Sequence, residues 1–118
     1  MAAPNIVNVS TIFGKTQSQQ LTTTMSNVIT NGATTGNVIK LNDIVVANYT
    51  TSSIQTNVSL GRGSNLFYIA GNMAVPANST LVVLAKDTAL YMEEGDYLQA
   101  NASSATAAQI TASYEVIY

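Results

Sequence analysis

The residues with the greatest chemical capacity are Glu93, Glu94 and Asp96, gathered around Gly95, with Asp87 a short way upstream. Carboxylates on a turn can ligate calcium, and a pair of them can act as acid and nucleophile on a glycosidic bond. Calcium takes about six oxygens or more, which so short a loop does not supply, and nothing in the sequence places a groove between two of these carboxylates. Acidic residues beside a glycine are ordinary turn chemistry, so the expectation is a plain turn with no metal ligand and no catalytic residue. Gly61-Arg62-Gly63-Ser64 has the glycines of a phosphate loop, yet it lacks the Lys-Ser/Thr ending and a following helix. It reads as a solvated loop tip, with Arg62 free to contact a neighbouring subunit.

Two further sets of residues carry recognisable chemistry. Tyr49, Tyr68, Tyr91, Tyr97, Tyr114 and Tyr118 could stack on sugar rings, although a strand tyrosine more commonly fills a half-buried position with its hydroxyl at the rim. Asn8, Asn48, Asn57, Asn78 and Asn101 each open an N-x-Ser/Thr sequon, a pattern that arises by chance in a chain so rich in Asn, Ser and Thr. The chain has no histidine and no cysteine. Disulfides, the usual zinc sites and Ser/His/Asp or Cys/His catalysis are thereby excluded. No enzyme, no cofactor and no metal is expected.

Composition narrows the class further. The 118 residues suffice for one domain, and a chain of that size can bury a core without metals or disulfides. Charged residues make up only 8% and the net charge is −2, against about a quarter charged in ordinary globular domains. Lys15, Lys40, Arg62 and Lys86 are scattered, so no basic patch exists for a nucleic-acid backbone. No apolar run approaches the roughly 20 residues of a membrane helix, and Met1–Ser10 lacks the basic and apolar regions of a signal peptide. A surface of Asn, Ser, Thr and Gln suits a chain that is covered by partners in an assembly.

The elements that position these residues are strands. Leu66–Ala102 reads as four short β segments separated by three turns, a β-meander. Pro76 removes a ladder donor and holds Val75 extended, which makes Pro76–Ser79 a turn. Leu81–Ala85 is apolar on both faces, as in a strand covered by the opposite sheet and by a neighbouring subunit or loop, and Leu84 is placed in the core. Upstream, Asn5–Phe13 and Leu21–Thr30 read as strands with Gly14–Gln20 as a polar loop between them. In Val38–Tyr49, Asp43 breaks the parity of Ile39, Leu41, Val45 and Ala47, and a bulge near Asn42-Asp43 resolves the conflict. Ile54–Leu60 alternates with Ile54, Thr56, Val58 and Leu60 inward, and Ile110, Ala112, Tyr114 and Val116 share a face in a closing strand. The expected architecture is all-β, a single-domain antiparallel β-sandwich of about eight strands, jelly-roll-like rather than immunoglobulin-like. Residues 1–4 form a flexible N-terminal arm and residues 5–118 the domain.

The segments APNIVNVSTIFGKT, VIKLNDIVVANYT, VPANSTLVVLAKDTALYMEEGDYLQANAS and ITASYEVI together resemble small virion structural proteins of tailed bacteriophages, especially those of marine and cyanobacterial phages. The resemblance covers most of the chain and rests on turn-and-strand patterns, none of them catalytic. It implies a multicopy virion protein assembled in the host cytoplasm. Within that class, a capsid decoration (cement) protein is favoured, a homotrimer whose partners are itself and the major capsid protein. A tail, baseplate or fibre-tip component touching the host surface is the alternative, and a carbohydrate-binding module comes third.

Overall fold

A computed structural model describes residues 11–118. The expected arm over residues 1–4 and the start of the expected strand at Asn5 lie outside the described residues. Nine strands follow one another: β1 (Ile12–Gln20), β2 (Ser26–Thr30), β3 (Val38–Asn48), β4 (Ile54–Arg62), β5 (Asn65–Val75), β6 (Ser79–Leu84), β7 (Leu90–Met92), β8 (Tyr97–Ala102) and β9 (Ala108–Ile117), with one 3-10 turn at Lys86–Thr88. They form two sheets, β1-β9-β3-β6 with β7 also beside β3, and β2-β8-β4-β5. Every pairing is antiparallel. β6 and β7 share one place in the first sheet, against Ile44–Asn48 and Ile39–Leu41 of β3 respectively.

The topology is a long antiparallel ribbon folded over on itself. β4 pairs with β5 at the tip, β3 with β6 and β7 next, then β2 with β8, and β1 with β9 at the open end. Rolling that ribbon brings β9 beside β3 and β8 beside β4 and creates the two sheets. This is the jelly-roll arrangement. Leu21, Ile44, Val46, Val58, Leu98 and Ile110 are buried between the layers, where removal of apolar surface from water supplies the main stabilisation.

Several expectations are corrected. Leu66–Ala102 does contain four strands, but they do not form a meander: β5 and β8 lie in one sheet, β6 and β7 in the other, so the chain crosses between layers after β5 and again after β7. Gly14–Gln20 is not a loop but most of β1, paired along its length with β9. Its polar residues lie on an edge strand, where Ser18 Oγ meets Thr111 Oγ1 at 3.1 Å and Gln20 Nε2 donates to the Ala108 carbonyl at 2.8 Å. The second expected strand is shorter than Leu21–Thr30, because the segment before Ser26 is loop, although Leu21 itself is buried in the core. Gly61–Asn65 is a tight hairpin rather than a flexible tip. Arg62 and Asn65 face each other, and Gly63 supplies φ +64° at the first of the two turn residues.

The parity conflict in β3 is resolved as the sequence requires. Leu41 faces Tyr114 and Asp43 faces Ser113, so Asn42 is the extra residue of a bulge. Beyond it the inward parity changes, and Ile44 and Val46 enter the core while Val45 and Ala47 do not. In β4, Ile54, Thr56 and Val58 point inward and Leu60 is partly buried against the core, but Ser59 is buried too. Leu84 is buried, whereas Val82 of the same strand is 60% exposed, so the second face of the Leu81–Ala85 run is open in this chain.

Candidate functional site

The acidic turn is where the sequence places its densest chemistry, and its geometry is that of a structural joint. Asp96 is buried, and its carboxylate accepts two parallel hydrogen bonds from Arg62, Nε to Oδ1 at 2.9 Å and a terminal nitrogen to Oδ2 at 2.6 Å. The Glu93 backbone N–H donates to Oδ2 at 2.8 Å, and the Glu93 carboxylate closes on the same guanidinium at 2.8 Å. Burial pushes the Asp96 carboxyl upward. The Arg62 hydrogen bonds, the Glu93 N–H and the Arg62 charge outweigh that effect and hold it below the ordinary aspartate value. The hydrogen bond to Asp96, followed by its charge, raises the guanidinium. Arg62 therefore ties the β4–β5 hairpin to the β7–β8 turn within one chain.

Glu94 is directed elsewhere, its Oε2 accepting the Gly36 N–H at 2.9 Å. Asp87 sits in the 3-10 turn. Among the described residues, no three His, Cys, Asp or Glu side chains converge as metal ligands. The turn also crosses between the sheets and is not a hairpin within one, because β7 belongs to β3 and β8 to β4.

Two buried asparagines lie at opposite ends of β3, and sequence reasoning had no reading for their structural role. Asn31 donates to the Asn37 and Met92 carbonyls at 3.0 and 3.3 Å and accepts from Thr35 Oγ1 at 2.9 Å, while its backbone N–H bonds the Asp96 carbonyl at 2.9 Å. Asn48 donates to the carbonyls of Ser52, Val75 and Pro76 at 2.8, 3.0 and 3.2 Å. Its Oδ1 accepts from the Thr50 N–H and hydroxyl at 3.0 and 2.7 Å. Asn48 and Thr50 are two positions of a sequon, but this amide is buried and engaged in holding loops together.

The outer face of the β2-β8-β4-β5 sheet carries a row of amides. Gln99 donates to Asn27 at 2.8 Å, Asn57 to Asn101 at 3.0 Å, and the Asn72 N–H to Asn57 Oδ1 at 2.8 Å. A depression of about 260 Å³ is bordered by Thr23, Gln55, Asn57, Asn72, Asn101 and Ser103, all uncharged. The side chains of Asn57 and Asn101 and the Asn72 backbone N–H are already hydrogen-bonded within the protein. The six tyrosines do not gather there. Tyr49 donates to Gln20 and the Thr106 carbonyl, Tyr97 packs over Gly61 and donates to the Gly63 carbonyl, and the others lie on separate strands or at Tyr118.

The fold also leaves apolar side chains uncovered. On edge strand β5, Leu66, Phe67, Tyr68 and Met73 are exposed, Phe67 and Tyr68 by 56% and 61%. At the opposite side, Ile12 and Phe13 of β1 are exposed, and the Phe13 ring lies 6.0 Å from that of Tyr118.

No protein-family model matches the chain and no curated protein matches it. Among solved structures, the fold is similar to a chain in the acidic stable capsid structure of Helicobacter pylori bacteriophage KHP30, with a TM-score of 0.53 and 9% identity over 94% of this chain and 90% of that one. A pentameric capsid protein isolated from metagenomic phage sequences aligns with a TM-score of 0.44 and 16% identity, over 84% of this chain and 60% of that one. A chain of the Bacillus endospore appendages that form disulfide-linked pili aligns with a TM-score of 0.47 and 7% identity, over 100% and 96%. The last two are too distant to carry an argument. The first shares the fold over nearly the full length of both chains.

Proposed function

We propose that this chain is a non-enzymatic structural protein of a phage virion, and within the virion a capsid decoration protein that trimerises and stiffens the shell. The observation that carries the proposal is the jelly-roll sandwich shared, over most of both chains, with a chain of a phage capsid structure. Three features support it. Charge is scarce over the whole chain, so covering much of the surface costs little desolvation. The acidic turn binds its carboxylates internally. Apolar side chains remain exposed on edge strands, where a monomer gains nothing from them. Its partners are further copies of itself and the major capsid protein, and its place of action is the particle assembled in the host cytoplasm.

The test adds purified protein to capsids stripped of it and measures occupancy by density, followed by the shell's resistance to heat and osmotic shock. Saturable binding with a stiffer shell is expected, at a copy number comparable to the capsid lattice, and removal of residues 2–4 weakens it. Labelling of the tail tip or of host cells at a few copies per particle would replace the cement role with a tail or fibre-tip role.

A further inference from the structure

On one side of the sandwich the edge strands β5 and β6 carry no charge. β5 is the outer strand of one sheet and β6 of the other, and the two are joined by the short turn after Val75. No charged residue lies between Arg62 and Lys86, a segment that contains all of both strands. Soluble proteins usually protect an edge with a lysine, an inward charge or a proline. β5 is eleven residues long and has none of these. Its protection is limited to two bulges, at Ile69 and at Gly71-Asn72, where the register with β4 shifts. The Asn65–Tyr68 half remains a strand end that carries the exposed Leu66, Phe67 and Tyr68, and β6 carries the exposed Val82.

We infer that the β5–β6 side is the surface through which copies of this chain associate, β5 of one copy lying against β6 of the next. This rests on the self-association contained in the proposed function, and it assigns that association a place. Charge complementarity selects the occupant. An uncharged edge strand is matched without desolvating a charge by another uncharged edge strand, and the chain itself supplies both on every copy. Backbone complementarity points the same way, since each strand edge presents unpaired N–H and C=O groups that another edge can satisfy. The area suits concentration-dependent association. The eleven residues of β5 span about 36 Å and the six of β6 about 20 Å, each covering a layer about 10 Å deep, so one copy offers about 560 Å². A stable interface buries about 800 Å² per partner. A β5-to-β6 contact is heterologous, and around a three-fold axis such contacts close into a ring.

The experiment measures the mass of the purified protein in solution across a dilution series and repeats it for Phe67→Lys, Val82→Lys and, as a control on the opposite side, Phe13→Lys. All three positions are exposed, so circular dichroism should report a native fold for each. Wild type and Phe13→Lys are expected to associate with equal affinity, and Phe67→Lys and Val82→Lys at least about tenfold more weakly. Because the chain has no cysteine, Tyr68→Cys combined with Val82→Cys should oxidise to covalent species of up to three chains. A monomeric wild type overturns the inference, as does dissociation by Phe13→Lys alone. Association that survives both lysines on the β5–β6 side also overturns it. Failure of the virion role is read separately on stripped capsids. A trimer that ignores capsids sinks the cement role and keeps the interface, and a capsid-bound monomer does the reverse.

Discussion

Arg62→Ala should destabilise the fold through a residue that is itself half exposed. The substitution removes two of the three hydrogen bonds to the Asp96 carboxylate and leaves a side chain only 2% exposed with the Glu93 N–H alone. Breaking a buried pair costs about 3–5 kcal/mol when both groups are enclosed. The Arg62 side chain is 49% exposed, so solvent already screens its half of the interaction, and a loss of about 2–3 kcal/mol is expected. For a domain of this size that lowers Tm by roughly 10 °C. Arg62→Lys should fall between the two, since it keeps the charge and loses the two-pronged geometry. The assay is urea unfolding at constant protein concentration, so that self-association does not move the baseline. The pH dependence has a definite sign. Asp96 titrates lower in the folded state than in the unfolded chain. Its contribution is therefore complete above the unfolded value of about 3.9 and is lost as pH falls through the folded value. Wild type should lose stability below about pH 4, with a slope that Asp96→Asn lacks. If Arg62→Ala costs less than about 0.5 kcal/mol, or if wild type and Asp96→Asn decline alike in acid, the joint does not exist in solution.

Four other outcomes are expected. Leu84→Asp buries an unpaired carboxylate against Ile44 and should prevent folding, at a cost of several kcal/mol, whereas Val82→Asp two residues away should leave the circular dichroism spectrum of the dilute chain native; equal effects would put β6 in the wrong register. Asn48→Ala removes a donor from three carbonyls and the acceptor of the Thr50 N–H and should cost about 2–3 kcal/mol by urea unfolding. Gly61→Ala would set a methyl 2.0 Å from the Tyr97 ring and should cost about 1–3 kcal/mol, most of it recovered when Tyr97→Ala is added. EDTA should leave Tm unchanged, and a calcium-dependent rise lost in Asp96→Asn would restore a metal role to the acidic turn.

Side-chain chemistry along the chain determined much of this protein by itself. Alternation and turn residues made it an all-β sandwich, the misplaced Asp43 required a bulge beside it, Pro76 ended β5, and the lack of histidine and cysteine removed the commonest catalytic and metal chemistries. These are local facts, written in each residue's φ preference or in which face of a strand it occupies. Neighbour choice is not local. Parity says that Leu98 and Ile110 point inward but not which strand lies beside them, so β5 to β8 could be read as a meander when they in fact cross between sheets. β1 was invisible because a polar segment becomes a strand only when a partner supplies its ladder, and β9 does so from the other end of the chain. The joint was hidden for the same reason. Arg62 and Asp96 stand 34 residues apart, and their ordinary types become a buried ion pair only after rolling the ribbon brings the β4–β5 hairpin against the turn that carries Asp96. Asn48 likewise spells a sequon in one dimension, and only burial in three turns its amide into a joint between loops.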